Sequence, residues 1–268
     1  MAGPLQGRHA VVTGAGRGIG AAIARRLAAE GAVLTLLGRG LDPLRALAGA
    51  LPASARALTL ACDVADAARV AAAFAAARDA RGPVAILVNN AGQAESAPFQ
   101  RMDAAHWQRM LGVNLTGTFH CIQAALPDLL AAGNAAGSRA GAPGGRIVNI
   151  ASTAGLRGYA YVAAYAAAKH GVVGLTRSLA LELAGRGVTV NAVCPGYTDT
   201  DIVREGVARV AGKTGRSEAE ARAEFVRANP QGRLVAPEEV ADTVAWLCGD
   251  GAAAVTGQSI SVSGGETM

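Results

Sequence analysis

A tyrosine and a lysine lie four residues apart in the stretch Tyr165-Ala-Ala-Ala-Lys169. The lysine stands out, because only Lys169 and Lys213 among the 25 basic residues are lysines. Residues four apart share one face of a helix, so the phenol and the ammonium are expected to be neighbours. An ammonium stabilises a phenolate and lowers the pKa of the tyrosine, which suits a group that transfers protons. The alternative is a helix that carries this pair by chance, since the motif is short.

The composition indicates a chain that can bury a substantial α/β core, with 268 residues of which 51% are hydrophobic. No apolar run approaches the roughly 20 residues that span a bilayer, and no secretory signal begins the chain. The cysteines show no metal-like spacing: Cys62, Cys121, Cys194 and Cys248. We therefore expect reduced thiols, no metal site, no membrane partner and a cytoplasmic location.

The net charge of +5 raises the question of a polyanionic partner. The arginines are spread along the chain, however, and no basic cluster of 5–8 residues is present. Nucleic acid is therefore not an expected partner. A small anionic ligand could still use one or two arginines, while solvated helix faces account for most of them.

Apolar strands alternate with helices along the whole chain. Strands are predicted at 9–13, 32–37, 57–61, 84–88, 146–151, 188–193 and 258–262. Helices are predicted up to residue 30, at 41–51, at 65–81, around Trp107 and Asn114 to residue 131, at 162–184 and at 237–247, and a charged pair of helices is predicted over 201–228. This alternation predicts an α/β fold, a single domain over residues 1–268 with one doubly wound parallel sheet. The stretch 133–145, rich in glycine, alanine and serine, is predicted to be a surface loop.

A glycine-rich turn joins the first strand to the first helix, with glycines at Gly14, Gly18 and Gly20. Glycines allow the backbone to approach a pyrophosphate, and the helix N-terminus supplies N–H donors and positive potential. The sequence therefore predicts a dinucleotide site at this corner. The alternative is a tight turn that needs glycine for its conformation alone.

The end of the second strand indicates which dinucleotide binds. Proteins that prefer NAD usually place a carboxylate there to hold the ribose 2′-hydroxyl. This chain has Gly38 followed by Arg39, and the first carboxylate is Asp42. A guanidinium suits a 2′-phosphate, and Arg17 within the glycine turn could be a second contact. We therefore favour NADP(H), with NAD(H) possible if both arginines are ordinary surface charges.

A set of spaced motifs runs along essentially the whole chain: TGAGRGIG at 13–20, Asp63 after a strand, NNAG at 89–92, Asn114, Ser152, YxxxK at 165–169 and PGYTDT at 195–200. In these motifs and their order, the chain resembles the short-chain dehydrogenase/reductase family. The segments GRIVNIAS, KHGVVGLT, TVNAVCPG and GAAAVTGQ are similar to ketoreductases that act on 3-ketoacyl thioesters and polyketides. In place of an aspartate that many members carry before paired glycines, this chain has Ser263.

The resemblance implies a Rossmann-like sheet of about seven parallel strands and a homotetramer. It divides the chain into a cofactor half, about 1–150, and a catalytic and substrate-lid half, about 151–268. The predicted cofactor-binding residues, which include the two arginines discussed above, are Gly14, Arg17, Gly18, Ile19, Gly20, Arg39, Asp63, Val64, Asn90, Ala91, Gly92, Tyr165, Lys169, Pro195, Gly196, Thr198 and Thr200. The implied catalytic group is Asn114, Ser152, Tyr165 and Lys169.

Chemical reasoning agrees with the implied catalytic group. Tyr165 can protonate the oxygen of a ketone as hydride arrives, or take the proton in the reverse direction. Lys169 can hold the nicotinamide ribose, and Ser152 can hydrogen-bond the substrate oxygen. The resemblance alone implies that Asn114 holds a water in a proton relay. Tyr161 has Tyr165 at i+4 and is expected at the mouth of the pocket.

The expected activity is NADP(H)-dependent transfer of a hydride between nicotinamide and a ketone or secondary alcohol, with a 3-ketoacyl thioester among the candidate substrates. The alternative is an NAD-dependent secondary-alcohol or 3-hydroxyacyl-CoA dehydrogenase, and a remote one is an inactive nucleotide-binding regulatory protein. The predicted lid, Thr198 to about Gly232, has cations that could bind a phosphate-bearing carrier or line solvated helices. These are Arg204, Arg209, Lys213, Arg216, Arg222 and Arg227.

Overall fold

The computed structural model describes residues 3–137 and 144–267, with only the backbone described at 135–137 and 213. The strands are β1 (His9–Thr13), β2 (Val33–Gly38), β3 (Leu58–Ala61), β4 (Ile86–Asn89), β5 (Gly145–Ile150), β6 (Val188–Pro195) and β7 (Ser259–Val262). The helices are α1 (Gly18–Ala29), α2 (Leu41–Gly49), α3 (Ala67–Arg81), α4 (Ala104–Leu111), α5 (Gly117–Gly137), α6 (Ala163–Leu183), α7 (Asp201–Thr214), α8 (Glu218–Val226) and α9 (Pro237–Cys248).

The seven strands form one parallel sheet in the order β3-β2-β1-β4-β5-β6-β7. The chain moves outward from β1 through β2 to β3, then returns to the other side of β1 at β4. This reversal creates a crevice at the carboxyl ends of β1 and β4, where open α/β sheets bind ligands. The predicted Rossmann-like architecture is confirmed.

Helices cover both faces of the sheet, which explains why its central strands are apolar on both sides. On one face, α1, α2 and α9 pack on alternate strand residues such as Val12, Leu36 and Val148. On the other face, α3, α5 and α6 pack on the intervening residues, such as Val11 and Ile147. The two cores leave only the loops at the carboxyl edge free to build a site.

Predicted and observed strands agree within about two residues, and the difference at the start of β4 has a physical reason. Strand β4 begins at Ile86 and not at Val84. The Val84 backbone N–H donates to Asp128 Oδ2 at 3.1 Å, so it is satisfied by a helix side chain and not by a neighbouring strand.

The prediction of a loop at 133–145 is wrong at its start, because α5 continues to Gly137. A Cβ on Gly133 would collide with the backbone of Arg186, so this glycine allows close helix packing and does not end the helix. Strand β5 already begins at Gly145. Residues 138–143 of the predicted loop lie outside the described residues.

The helical region that carries Asn114 is not a regular α-helix. One π-helical turn, Gly112–Thr116, separates α4 from α5. Such turns contain one extra residue and re-aim the side chains of a helix, often at functional sites. Asn114 is therefore placed by a local irregularity that the helical periodicity does not reveal.

The segment after β6 forms a small two-helix unit, α7 and α8, with its own apolar cluster. Val203, Val207, Ala221 and Leu234 are buried in it, and the rings of Tyr197 and Phe225 meet edge to face at 4.9 Å. A single bridge between Thr198 and Val235 closes the unit against the rest of the chain. Among the described residues, no helix is long and apolar enough to cross a membrane.

Candidate active site

The glycine turn after β1 forms a cradle whose shape depends on absent side chains. Gly14 and Gly18 have φ of +62° and +53°, a conformation that favours glycine. A Cβ on Gly20 would collide with the carbonyl oxygen of Gly14, and one on Gly14 would lie 2.8 Å from Ala91 Cα. Helix α1 begins at Gly18, so its first N–H groups face the cradle. Ile19 packs against the core and holds this first turn in place.

Thr13, which begins the TGAGRGIG motif but is not among the predicted site residues, joins the cradle to the end of β4. Its hydroxyl accepts hydrogen bonds from the backbone N–H groups of Asn90 and Ala91, at 3.0 and 2.9 Å. The Asn90 amide donates to the carbonyl oxygens of Thr13 and Gly14, both at 3.0 Å. Asn90 and Ala91 thereby support the glycine turn. The sequence signal for Thr13 is its place at the start of that motif.

Beyond the cradle, Arg39 and Asp63 line one cavity together with Val113 and Gly112 of the π-helical turn. Arg39 is exposed, directly after β2. The Asp63 carboxylate accepts a hydrogen bond from the Ala65 N–H at 3.0 Å, which fixes its orientation. A cation and a carboxylate therefore face the same space at the predicted adenosine end.

Two other predicted cofactor contacts, Val64 and Arg17, have neighbours within the protein. Val64 is 6% exposed, and its side chain fills the space beside Gly117. The Val64 side chain therefore packs within the protein, and its carbonyl oxygen is bonded to His120 Nδ1 at 3.0 Å. Arg17 is exposed and its guanidinium lies 3.5 Å from Glu205 of α7. The structure thus connects Arg17 to the lid as well as to the glycine turn.

Ser152 and Tyr165 lie near each other at the carboxyl edge of β5. Ser152 follows this strand and caps a short 3₁₀ turn, where its hydroxyl accepts from the Ala154 N–H at 3.1 Å. Burial raises the pKa of Tyr165, and the nearby Ser152 hydroxyl acts in the opposite direction. The fold therefore brings the predicted serine and tyrosine to the same place.

Lys169 lies one helical turn after the tyrosine and is 4% exposed. Its ammonium donates to the carbonyl oxygen of Ile150 at 2.7 Å and lies 5.7 Å from the centre of the Tyr165 ring. Burial lowers the pKa of Lys169 to about 8. The expected downward shift of the Tyr165 pKa is not found, because burial dominates and the ammonium is bonded to a carbonyl.

Asn114, the fourth predicted catalytic residue, lies in the π-helical turn between α4 and α5. Its amide nitrogen donates to the carbonyl oxygens of Met110 and Gln93, both at 2.9 Å, and its oxygen accepts from the Gln93 N–H at 3.2 Å. A Cβ on Gly92 would lie 2.8 Å from the Asn114 oxygen and 3.6 Å from the Lys169 ammonium. Gly92 therefore leaves room between the amide and the ammonium.

The segment after β6 forms the opposite wall. The hydroxyl of Thr198 donates to the carbonyl oxygen of Gly196 at 3.0 Å, and the hydroxyl of Thr200 donates to that of Thr198 at 3.3 Å. Pro195 ends the strand, and the Thr200 methyl group packs close to Gly18 of the cradle. The segment after β6 and the glycine cradle thus lie close together.

Several lid arginines are neutralised by neighbouring acids. Arg204 and Arg222 both reach Asp199, at 2.9 and 3.4 Å, and Arg216 and Arg227 both reach Glu224, at 3.1 and 3.0 Å. Arg209 is exposed, and the Lys213 side chain lies outside the described residues. The ion pairs favour solvated helix faces over a phosphate-binding surface.

Tyr161 is two-thirds exposed and has a φ of +67°, unusual for a residue other than glycine. Its carbonyl oxygen accepts from the Ala97 N–H at 2.8 Å. This bond ties the segment before α6 to the loop after β4. Tyr161 therefore lies at the rim and outside the Ser152–Tyr165 pair.

Residues 8–210 match the family described as short chain dehydrogenase, and the chain belongs to this family. It is 42% identical over 264 residues to a cis-4-hydroxycyclohexanecarboxylate dehydrogenase of Sinomonas cyclohexanicum, with 97% of this chain and 96% of that one covered. It is 37% identical to a D-beta-hydroxybutyrate dehydrogenase of Rhizobium meliloti (strain 1021), with 97% and 98% covered.

Among solved structures, a variant of actinorhodin polyketide ketoreductase with NADPH superposes with a TM-score of 0.90. It is 40% identical in sequence, and 99% of each chain is covered. These similarities extend over the whole length of the chain, and they make it an oxidoreductase that acts on ketones or alcohols. The resemblance inferred from the sequence motifs is thereby confirmed.

Proposed function

We propose that this chain is an NADP(H)-dependent ketone reductase in which Tyr165 exchanges the proton. The observation that carries the proposal is that Ser152, Tyr165 and Lys169 lie together at the carboxyl edge of the sheet: Ser152 follows β5, and Lys169, one turn after Tyr165 on α6, donates to the last residue of β5, Ile150. The glycine cradle lies at the same edge. This arrangement supports a proton donor and an oxygen-binding hydroxyl beside a dinucleotide, because folds of this kind bind ligands at that edge.

The residues present fit a nicotinamide dinucleotide. The glycine turn packs against its own backbone and Asn90 so closely that Gly14 and Gly20 leave no room for a Cβ, and the N–H groups that begin α1 suit a pyrophosphate. Arg39 suits a 2′-phosphate, and Asp63 suits the adenine end. The bound nicotinamide supplies the hydride for reduction, or accepts it in the reverse direction.

The protein residues handle the oxygen of the substrate. The Ser152 hydroxyl donates a hydrogen bond to the ketone oxygen and stabilises the negative charge that develops there. Tyr165 then gives its proton to that oxygen. Because burial raises the pKa of Tyr165, the phenol stays protonated at neutral pH and is ready to act as the acid.

Lys169 and Asn114 support this proton transfer. The Lys169 ammonium stabilises the phenolate that remains on Tyr165 after the transfer and can hold ribose hydroxyls. The space at Gly92, between the Asn114 oxygen and the Lys169 ammonium, suits a water that returns a proton towards the tyrosine. We assign the relay to this space.

A second candidate function is the NAD-dependent oxidation of a secondary alcohol. It is favoured by the two relatives that are named as dehydrogenases of hydroxy acids. The NADPH bound to the structural relative and the arginine at position 39 favour reduction. We therefore place the reductase first, with a ketone or a 3-ketoacyl thioester as substrate, and propose a homotetramer as its assembly.

A fluorescence titration with NADPH and NADH, followed by turnover with cyclohexanone and an acetoacetyl thioester, tests the proposal. Tighter binding of NADPH and reduction of either ketone are expected. Tyr165→Phe should lose at least about 100-fold in kcat, because it removes the proton donor, and its NADPH affinity should fall far less than its kcat. Stronger binding of NADH with alcohol oxidation would favour the second candidate. Binding without turnover would favour the remote alternative, an inactive regulatory protein.

A further inference from the structure

A buried carboxylate near the end of the chain lies beside the segment that joins Ser152 to Tyr165. The Glu266 side chain is 1% exposed. One of its oxygens, Oε1, accepts hydrogen bonds from Arg157 Nη2 at 3.3 Å and from the Tyr159 hydroxyl. Its backbone oxygen accepts from Arg157 Nη1 at 3.2 Å. We call Arg157, Tyr159 and Glu266 the terminal cluster.

Each residue of the terminal cluster contacts the other two. The Arg157 guanidinium lies 4.7 Å from the centre of the Tyr159 ring, in addition to its two bonds with Glu266. Contact with an aromatic ring and two hydrogen bonds to one residue together hold an arginine in one orientation. Arg157 is therefore fixed from two sides, although its side chain is 48% exposed.

The other carboxylate oxygen of Glu266 points to the opposite wall of the site. Among the described residues, Oε2 is buried and finds no hydrogen-bond partner. A Cβ on Gly196 would lie 2.7 Å from it. An unpaired buried oxygen costs free energy, so its retention calls for an explanation. Glu266 thus lies between the segment after Ser152 and the end of β6.

The turn after Ser152 is held on two sides. On one side, Gly155 packs so closely on α6 that a Cβ would lie 2.7 Å from the Lys169 carbonyl oxygen. On the other, the Arg157 N–H donates to the Thr153 carbonyl oxygen at 3.0 Å, and the Arg157 side chain is bound by Glu266. The turn that carries Ser152 therefore lies between α6 and the terminal cluster.

Tyr197 links the terminal cluster electrostatically to the proton donor. Burial raises the pKa of Tyr197, the charge of Glu266 raises it further, and Arg157 lowers it. Tyr197 in turn contributes, after burial, to the raised pKa of Tyr165. Tyr197 is therefore within electrostatic reach of both the terminal cluster and the proton donor.

We propose that Glu266 is a positioning residue for the reaction, which holds Ser152 beside Tyr165 through Arg157 and Tyr159. This inference rests on the proposed function, because it takes Ser152 and Tyr165 as the groups that act on the substrate oxygen. Glu266 itself touches neither of the reacting groups. Its contribution is to the geometry of the Ser152 hydroxyl, on which the rate depends steeply.

The variants Glu266→Ala and Glu266→Gln test the inference, with Glu182→Gln as the control because it removes an exposed carboxylate from α6. Arg157 is half-exposed and can be hydrated when its partner is lost, so we expect both variants to fold. For Glu266→Ala, kcat with NADPH and a reducible ketone should fall about 10-fold, with the KM for NADPH unchanged. Glu266→Gln should lose less, because its amide oxygen still accepts from Tyr159. The control should match the wild type.

Hydrogen exchange of the peptide 152–160 gives a readout that needs no turnover. Glu266→Ala should speed exchange at the amides of Gly155 and Arg157, and Glu182→Gln should not. A wild type without reductase activity would remove the proposed function. Unchanged hydrogen exchange in Glu266→Ala would separately overturn the role of Glu266 in holding the turn after Ser152. In an active enzyme, a lower melting temperature with kcat unchanged would reduce Glu266 to a structural residue and overturn the inference.

Discussion

Lys169 combines a chemical requirement with a physical cost. Its ammonium is 4% exposed, and burial lowers its pKa to about 8, because the charged form loses its hydration. Its hydrogen bond goes to a backbone carbonyl, which offers only partial compensation. A cation beside Tyr165 is useful for stabilising a phenolate, so the fold retains a lysine that weakens it at neutral pH.

This cost predicts a pH dependence of stability. Between the folded pKa of about 8 and the ordinary value of 10.5, the unfolded chain binds a proton that the folded chain has released. The free energy of unfolding therefore rises with pH in this window. Relative to Lys169→Met, the wild type should gain roughly 2–3 kcal/mol between pH 7 and about pH 10.5. Urea denaturation of both proteins across this range measures the difference, and a constant difference would contradict the prediction.

Arg39 predicts the choice between the two dinucleotides. Replacing it by alanine removes charge-assisted hydrogen bonds to a 2′-phosphate, which corresponds to about a 10- to 100-fold weaker Kd for NADPH. The Kd for NADH should stay the same, because that cofactor has no 2′-phosphate. Arg45→Ala, on the exposed side of α2, is the matched control. The same fluorescence titration measures both variants. An equal loss of NADPH affinity in Arg39→Ala and Arg45→Ala would indicate a general charge effect.

At the scale of elements, two glycines should respond in opposite ways to replacement by alanine: Gly20 in the glycine cradle and Gly174 in α6. Gly20→Ala should weaken dinucleotide binding more than about 10-fold and lower stability by about 1–3 kcal/mol, because its Cβ meets the Gly14 carbonyl. In α6, a methyl group added at Gly174 would meet no described neighbour within 4 Å, so Gly174→Ala should stabilise the protein by about 0.5–1 kcal/mol. Thermal melts and cofactor titration of both variants check this, and equal effects would be inconsistent with the cradle.

The strands and most helices could be predicted from the sequence, because their apolar periodicity reports directly on burial. Strand β1 has the same bounds in the sequence prediction and in the structure, and the glycine turn and the Tyr165–Lys169 pair carry local signals. The π-helical turn at Gly112–Thr116 could not be predicted in the same way. An extra residue in a helix shifts the direction of later side chains but leaves composition and hydrophobicity almost unchanged.

Contacts between segments that are distant along the chain could not be predicted from the sequence either. The Thr13 hydroxyl binds residues 77 and 78 positions away, and Glu266 binds Arg157 across 109 positions. Neither residue type is informative alone, since threonine is common in strands and glutamate on surfaces. Gly133 is ambiguous for a related reason: its residue type indicates a loop, whereas in the fold it permits a close approach to the backbone of Arg186.

At the scale of the whole molecule, large apolar side chains remain exposed on the outer helices. Leu181 of α6 is 86% exposed, Phe119 of α5 is 46% exposed and Trp246 of α9 is 48% exposed. Both sides of the sheet are already covered by helices, so these residues contribute nothing to the two cores. Exposed apolar residues on packed helices favour association of copies of the chain, in agreement with the homotetramer that the family resemblance implies.

The assembly can be tested at Leu181. Burying a leucine side chain at an interface contributes about 1.5–3 kcal/mol, and a carboxylate there would lose this and resist desolvation. In sedimentation velocity, the wild type should therefore run as an oligomer of the 26.7 kDa chain and Leu181→Glu as a smaller species. Phe99→Glu is the matched control, because Phe99 is 75% exposed in the 3₁₀ turn before α4 and not on an outer helix. If Leu181→Glu keeps the mass of the wild type, the α6 surface is not the contact between subunits.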